Sequence, residues 1–197
     1  AALGGQVVVG LNPTRRAGLV ADVARSDCQV VLTDEAHAGL LDGLDLGVPV
    51  LDLDGDDWAR LLLRHHEALV PEADVDADTL LMLIFTSGTS GDPKAVRITH
   101  AKVAGPGVLL SERFGLGPHD VAYVSMPLFH SNAVMAGWGP ALASGATVAL
   151  AERFSASGFL PDVRRYGATY MNSVGKPLSY VLATPALPGD ANNPLRI

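Results

Sequence analysis

The sequence predicts an α/β fold, a mostly parallel sheet flanked by helices. Three observations predict it. Valine- and leucine-rich runs of strand length recur along all 197 residues. Segments with apolar residues at helical spacing separate them. Turn residues mark the junctions: 21 Gly and 13 Pro fall between the apolar runs rather than in a tract. Strands that alternate with helices join through crossovers, which favours parallel pairing with helices on both faces.

The elements follow in order. Gln6 to Leu11 is a valine-rich strand ending at the turn signal Asn12-Pro13. Thr14 is placed to cap a helix in which Leu19, Val20, Val23 and Ala24 recur at helical spacing, with Arg15, Arg16, Asp22 and Arg25 outward. Cys28 to Thr33 reads as a strand, Asp34 to Leu41 as a short helix, Val48 to Leu53 as a strand and Trp58 to Leu69 as a helix. Residues 71–78 are acidic, with Val75 as their one large apolar residue, and read as a linker between portions 1–70 and 79–197. Thr79 to Phe85 is nearly unbroken in apolar character, as expected of a strand covered on both faces.

Val96 to Thr99 reads as a short returning strand, and Ala101 to Phe114 as a helix despite Gly105, Pro106 and Gly107. Val121 to Ser125 is a strand ending at Met126-Pro127. Val134, Trp138 and Leu142 stand at i, i+4 and i+8, which predicts one helical face with a kink at Pro140. Thr147 to Ala151 and Ala168 to Asn172 read as strands. Ser155 to Arg165 reads as a helix, with Pro161 in its first turn, and Pro177 to Ala183 as another.

Composition excludes several function classes. The chain is 48% apolar, enough to fill a core. Its 14 Lys and Arg stand against 21 Asp and Glu, a net charge of −7, and the basic residues form no run, so nothing marks a nucleic-acid surface. A single cysteine, Cys28, excludes an internal disulfide, and its apolar setting marks a small hydrophobe rather than a nucleophile. No apolar run approaches the roughly 20 residues of a membrane span. No signal peptide is visible, and the chain starts at Ala1 and stops at Ile197 within a pattern, which leads us to expect a piece of a longer protein. His65-His66-Glu67 is a poor metal site, because adjacent helical residues point in different directions. Asp52, Asp54, Asp56 and Asp57 lack the terminal Glu of a calcium loop and read as a solvated acidic turn. No metal ligand is therefore assigned.

The richest stretch is Phe85-Thr86-Ser87-Gly88-Thr89-Ser90-Gly91-Asp92-Pro93-Lys94. From Thr86 to Lys94 it holds four hydroxyl residues, two glycines and one lysine within nine positions. Gly88 and Gly91 let the backbone approach a ligand, the N–H groups of such a turn form a concave anion site, and Lys94 adds a positive charge. A polyphosphate needs this set, since its charge must be matched in a partly dry site. By composition alone a solvated Ser/Gly turn fits too. The spacing is not that of the common P-loop, where lysine directly follows the second glycine.

The string resembles the phosphate-loop signature of the adenylate-forming superfamily, [YF]-T-S-G-[ST]-T-G-x-P-K-G-V followed by [ST]-H, and continues here as Ala95-Val96-Arg97-Ile98-Thr99-His100. The resemblance implies part of the large N-terminal domain of an adenylate-forming enzyme. Thr86, Ser87, Gly88, Thr89, Ser90, Gly91 and Lys94 would hold the β- and γ-phosphates of ATP. Ser90 stands where threonine is usual and keeps the hydroxyl. Ala95 stands where glycine is usual, at a cost of about 1 kcal/mol if that position needs positive φ. His100 is read as the cap of the following helix.

Two further segments agree in order. Met126-Pro127-Leu128-Phe129-His130-Ser131-Asn132 resembles the family's P-x-[FY]-H segment, which implies that His130 lies near the acyl carboxylate or gates the acyl pocket. Arg153-Phe154-Ser155, Tyr166-Gly167-Ala168-Thr169, Val174-Gly175 and Leu178-Ser179-Tyr180 look most like the very-long-chain acyl-CoA synthetase and fatty-acid-transport-protein branch, with Val174 and Gly175 near the acyl chain. Lys176 departs from the acidic residue of that branch. The opening Val9-Gly10-Leu11-Asn12-Pro13 also resembles the family's.

The resemblance implies a fatty-acid:CoA ligase that makes acyl-AMP and pyrophosphate, then acyl-CoA, in the cytoplasm or at a membrane surface. ATP, Mg²⁺ and CoA would be required, with His130 and Lys94 as the catalytic candidates in this chain. The Mg²⁺ ligand, the ribose-binding aspartate and the C-terminal domain with its lysine would lie beyond Ile197, so the isolated chain is expected to be inactive. Two other functions fit the same residues: another adenylating chemistry (acyl-AMP ligase, aryl or amino-acid activation), or a non-catalytic acyl-binding module.

Overall fold

In the computed structural model, which describes residues 4–67, 70, 73–86 and 94–196, the chain divides into two compact units, Ala1–Arg97 and Ile98–Ile197. The first is organised around strand β4 (Leu80–Thr86). Leu81, Met82, Leu83 and Ile84 in succession are at most 9% exposed, so both faces of the strand are covered, as its unbroken apolar run predicts. Strand β1 (Val8–Gly10) pairs with it in parallel, Val8 opposite Met82 and Gly10 opposite Ile84. Strand β5 (Lys94–Thr99) lies on the other side, giving the order β1-β4-β5. The β1–β4 pairing joins residues from either side of the acidic stretch 71–78.

After β1 the chain forms a 3-10 turn, Pro13–Gly18, and helix α1, Leu19–Arg25. Thr14 is not the cap: Asn12 Oδ1 accepts from both the backbone N–H and the hydroxyl of Thr14, at 3.0 and 2.8 Å. Of the four apolar residues at helical spacing, Leu19 and Val23 are 3% and 1% exposed, whereas Val20 and Ala24 are exposed. Asp22 does not face outward. It lies one residue before Val23 on the covered side and is 1% exposed.

A separate parallel pair is formed by β2 (Val31–Thr33) and β3 (Val50–Asp52). Between and after them come the single-turn helix α2 (Glu35–Ala38), capped by Asp34, and α3 (Asp56–Arg64). Cys28 is half-buried and donates to Val30 O at 3.0 Å. The parallel pairing expected of the chain is thus divided among three sheets in the described residues.

The second unit has three layers. Its sheet has the order β7-β6-β8, with β6 Val121–Val124, β7 Thr147–Leu150 and β8 Tyr170–Met171, all parallel. Alternation along β6 sorts the two faces. Tyr123 packs with Ala149, Phe159, Val163 and Ala168 on the face covered by helix α6 (Phe159–Tyr166). Ala122 packs with Ala141 and Tyr170 on the opposite face, covered by α4 (His100–Phe114) and α5 (Gly139–Ser144). Pro161 falls in the first turn of α6, where its missing N–H costs no helical bond.

Two expectations are corrected in this unit. The N-cap position of α4 is Thr99, extended at φ −87°, and His100 is the first helical residue. Ahead of α5, residues Ala133–Trp138 form a π-helical segment. Its wider turn breaks the i, i+4, i+8 relation, so Val134 is 3% exposed while Leu142 is 64% exposed on another face. Among the described residues no helix is long and apolar enough to cross a membrane.

Candidate functional site

In parallel sheets, ligands gather beyond the carboxyl ends of the strands, where loops leave backbone N–H groups free. Each unit presents such an end with predicted residues on it.

In the first unit β4 ends at Thr86 and β5 begins at Lys94, and the two residues face each other across the strand pair. The Thr86 hydroxyl donates to Lys94 O at 3.5 Å. Both are exposed. Ser87, Gly88, Thr89, Ser90 and Gly91 lie outside the described residues. What precedes the loop is well held: Asp76 accepts from Asp78 N, Thr79 N and Thr79 Oγ1 at 3.0, 2.8 and 2.7 Å, a turn that delivers the chain into β4. Hydrogen bonds from the Thr79 hydroxyl and N–H hold the Asp76 carboxyl below the usual carboxylate range. Ala95 is unstrained in β5, because among the described residues Asp27 is the non-glycine residue with positive φ.

In the second unit β6 runs out into Met126–Asn132. The turn closes through a hydrogen bond from His130 N to Pro127 O at 2.9 Å. The His130 ring is exposed and stacks at a tilt on Phe129, with centroids 4.7 Å apart. Phe129 thus packs beside the imidazole. Beside it, β8 runs out into Asn172, Ser173, Val174 and Gly175. Because β6 and β8 are parallel neighbours, Ala122 opposite Tyr170, both segments leave the sheet at the same end. His130, Val174 and Gly175 are thereby brought to one edge. Val174 is 56% exposed, and Gly175 adopts φ 64° and ψ −110°, a conformation available to glycine.

Sequence reasoning missed Asn172 and Ser173. Asn172 Oδ1 and Ser173 Oγ are buried, with no hydrogen-bond partner among the described residues. Buried polar atoms ordinarily find partners, so two orphans at a strand's carboxyl end mark a place that a ligand or a further protein group completes. The signal was two polar residues directly after an apolar strand. His100 Nε2, also assigned no binding role, is likewise buried with no partner among the described residues.

The opposite end of this sheet is closed by structure alone. Asp120 is 8% exposed and accepts from Gly117 N at 2.9 Å, from Thr169 Oγ1 at 2.7 Å and from Arg196 Nη2. Among the described residues there is no cluster of three or more His, Cys, Asp or Glu able to hold a metal ion.

Comparison with known proteins gives the family. The chain is 55% identical over 197 residues to a medium/long-chain-fatty-acid–CoA ligase, FadD17, of Mycobacterium marinum, covering 100% of this chain and 38% of the relative. It is 48% identical over 200 residues to the steroid-22-oyl-CoA synthetase of Rhodococcus jostii, covering 99% of this chain and 36% of that protein. The chain thus spans well under half the length of these relatives. The inhibitor-bound N-terminal domain of FACL13 from Mycobacterium tuberculosis superposes with a TM-score of 0.76 at 22% identity, over 96% of this chain and 49% of that one, which shows the shared fold. The family model for AMP-binding enzymes matches residues 1–197, and the chain belongs to that family.

Proposed function

We propose that this chain supplies the phosphate loop and the acid-side segments of a fatty-acid:CoA ligase. The observation that carries the reading is the Thr86-to-Lys94 string between two hydrogen-bonded strands, at the carboxyl end of a buried parallel strand. A loop mounted there can surround an anion with hydroxyls and amides while its neck stays fixed.

The reaction has two steps. A carboxylate oxygen attacks the α-phosphorus of ATP, and the bond to pyrophosphate breaks. The thiol of CoA then attacks the acyl carbon of acyl-AMP, and AMP leaves. The first step brings two anions together, so it depends on positioning and charge compensation. Lys94 and the donors of Thr86, Ser87, Gly88, Thr89, Ser90 and Gly91 take up the charge on the departing pyrophosphate. His130 orients the acid, and Val174 and Gly175 lie along its chain. Mg²⁺ would add charge compensation at the phosphates. Residues 1–70 serve as scaffold, 71–78 as connection and 79–197 as the working portion. The branch is that of fatty-acid-handling synthetases, active in the cytoplasm or at a membrane surface.

Acid-dependent ATP–pyrophosphate exchange by the full-length protein, followed by thioester formation with CoA, tests the reading. Exchange and thioester formation with medium- and long-chain fatty acids are expected. Exchange without use of CoA would make it an acyl-AMP ligase, and acyl binding without any exchange would make it a binding module. The isolated chain should give no acyl hydroxamate from fatty acid, ATP and hydroxylamine.

A further inference from the structure

The π-helical segment Ala133–Trp138 begins three residues after His130 and ends just before Pro140. In an α-helical register the N–H of residue 140 would bond the carbonyl of Ala136, but proline has no N–H. That carbonyl is met from outside the helix. Tyr170, 2% exposed on β8, donates its hydroxyl to Ala136 O at 2.6 Å. Gly139 N meanwhile bonds Val134 O, five residues back, which is the π register. The Tyr170 ring is seated against Phe114, with centroids 5.9 Å apart.

We propose that Tyr170 is a positioning residue for His130, its hydroxyl standing in for the N–H that Pro140 lacks and so holding residues 133–138 in the π register. The two ends of the segment are not equally free. On the C-terminal side α5 is pinned to α4, since Gly139 O would lie 2.7 Å from a Cβ on Gly107. Relaxation to α geometry removes one residue from a turn, a rotation of about 100°. With α5 held, that rotation falls on the N-terminal side. His130 O accepts from Val134 N at 3.4 Å, so the turn carrying the imidazole moves with it. Tyr170 stands on β8 and Ala136 on the segment that follows β6, so one hydroxyl ties that segment to β8.

The inference rests on the acid-side role of His130 proposed above, and the test separates the two. Pyrophosphate exchange is measured in the full-length protein for His130→Ala, Tyr170→Phe and the double variant. Tyr170→Phe is expected to raise KM for the acid about tenfold with KM for ATP unchanged. The double variant should be no worse than His130→Ala, because tyrosine acts through the imidazole. If Tyr170→Phe does not fold, Pro140→Ala, whose restored N–H competes for the same carbonyl, should raise the acid KM in the same way. An impaired His130→Ala beside an unchanged acid KM in Tyr170→Phe, or in Pro140→Ala where that replaces it, overturns the positioning inference alone. So do fully additive effects. An unimpaired His130→Ala overturns the reading of the imidazole, and this inference with it.

Discussion

A Cβ placed on Gly107 would stand 2.7 Å from the carbonyl oxygen of Gly139, so α4 and α5 meet backbone to backbone. Gly105, two residues earlier on the same helix, has nothing within 4 Å of such a Cβ. The two glycines should therefore respond oppositely. Gly107→Ala is expected to destabilise the fold by about 2–4 kcal/mol, since backbone must give way. Gly105→Ala should stabilise it by about 0.5–1 kcal/mol through helix propensity. Urea denaturation of both variants checks the pair, and equal effects would contradict the close crossing.

The carboxylate of Asp120 should give the stability of the fold an acid limb. Burial pushes its pKa up, but hydrogen bonds from Thr169, Gly117 N and Arg196 outweigh burial and bring it below the ordinary value. A carboxylate depressed in the folded state adds stability that is present above its unfolded pKa, about 3.9, and lost as pH falls through the lower native value. Asp120→Asn should lose about 2 kcal/mol at neutral pH. Its urea midpoint should also fall less than the parent's between about pH 5 and pH 3.

One guanidinium straps the C-terminal loop to α6. Arg164 donates to Asp190 Oδ1 at 3.0 Å, to Gly189 O at 3.1 Å and to Asn192 O at 3.3 Å. Arg164→Ala is expected to speed amide exchange about tenfold over residues 187–193 while β6 is unchanged. Exchange that rises equally in β6 would mean that the variant loosens the whole unit.

Lys94 is exposed at the start of β5, at the end of the proposed phosphate loop. Lys94→Ala in the full-length protein should lower pyrophosphate exchange about a hundredfold and leave the melting temperature in place. An undiminished exchange rate would count against the proposed role of the ammonium group.

What the sequence settled by itself is local. The apolar run from Thr79 to Phe85 dictated a strand covered on both faces, found at Leu80–Thr86, because alternation is absent when neither side meets water. The helical spacing of Leu19 with Val23 marked residues that turn inward. The Thr86-to-Lys94 string and the Phe129-His130 pair stood out in the sequence through their resemblance to family motifs, since composition alone also fits a solvated turn.

Tertiary structure decided what depends on partners far along the chain. The outward placement expected of Asp22 failed because its position on α1, beside Val23, is covered in the fold. The single face expected of Val134, Trp138 and Leu142 failed because Pro140 withholds a donor and Tyr170, 34 residues from Ala136, supplies another. Spacing within a segment reports that segment's own periodicity. It cannot report a hydrogen bond whose donor arrives on a different strand, and that bond set the register of the helix leading back to His130.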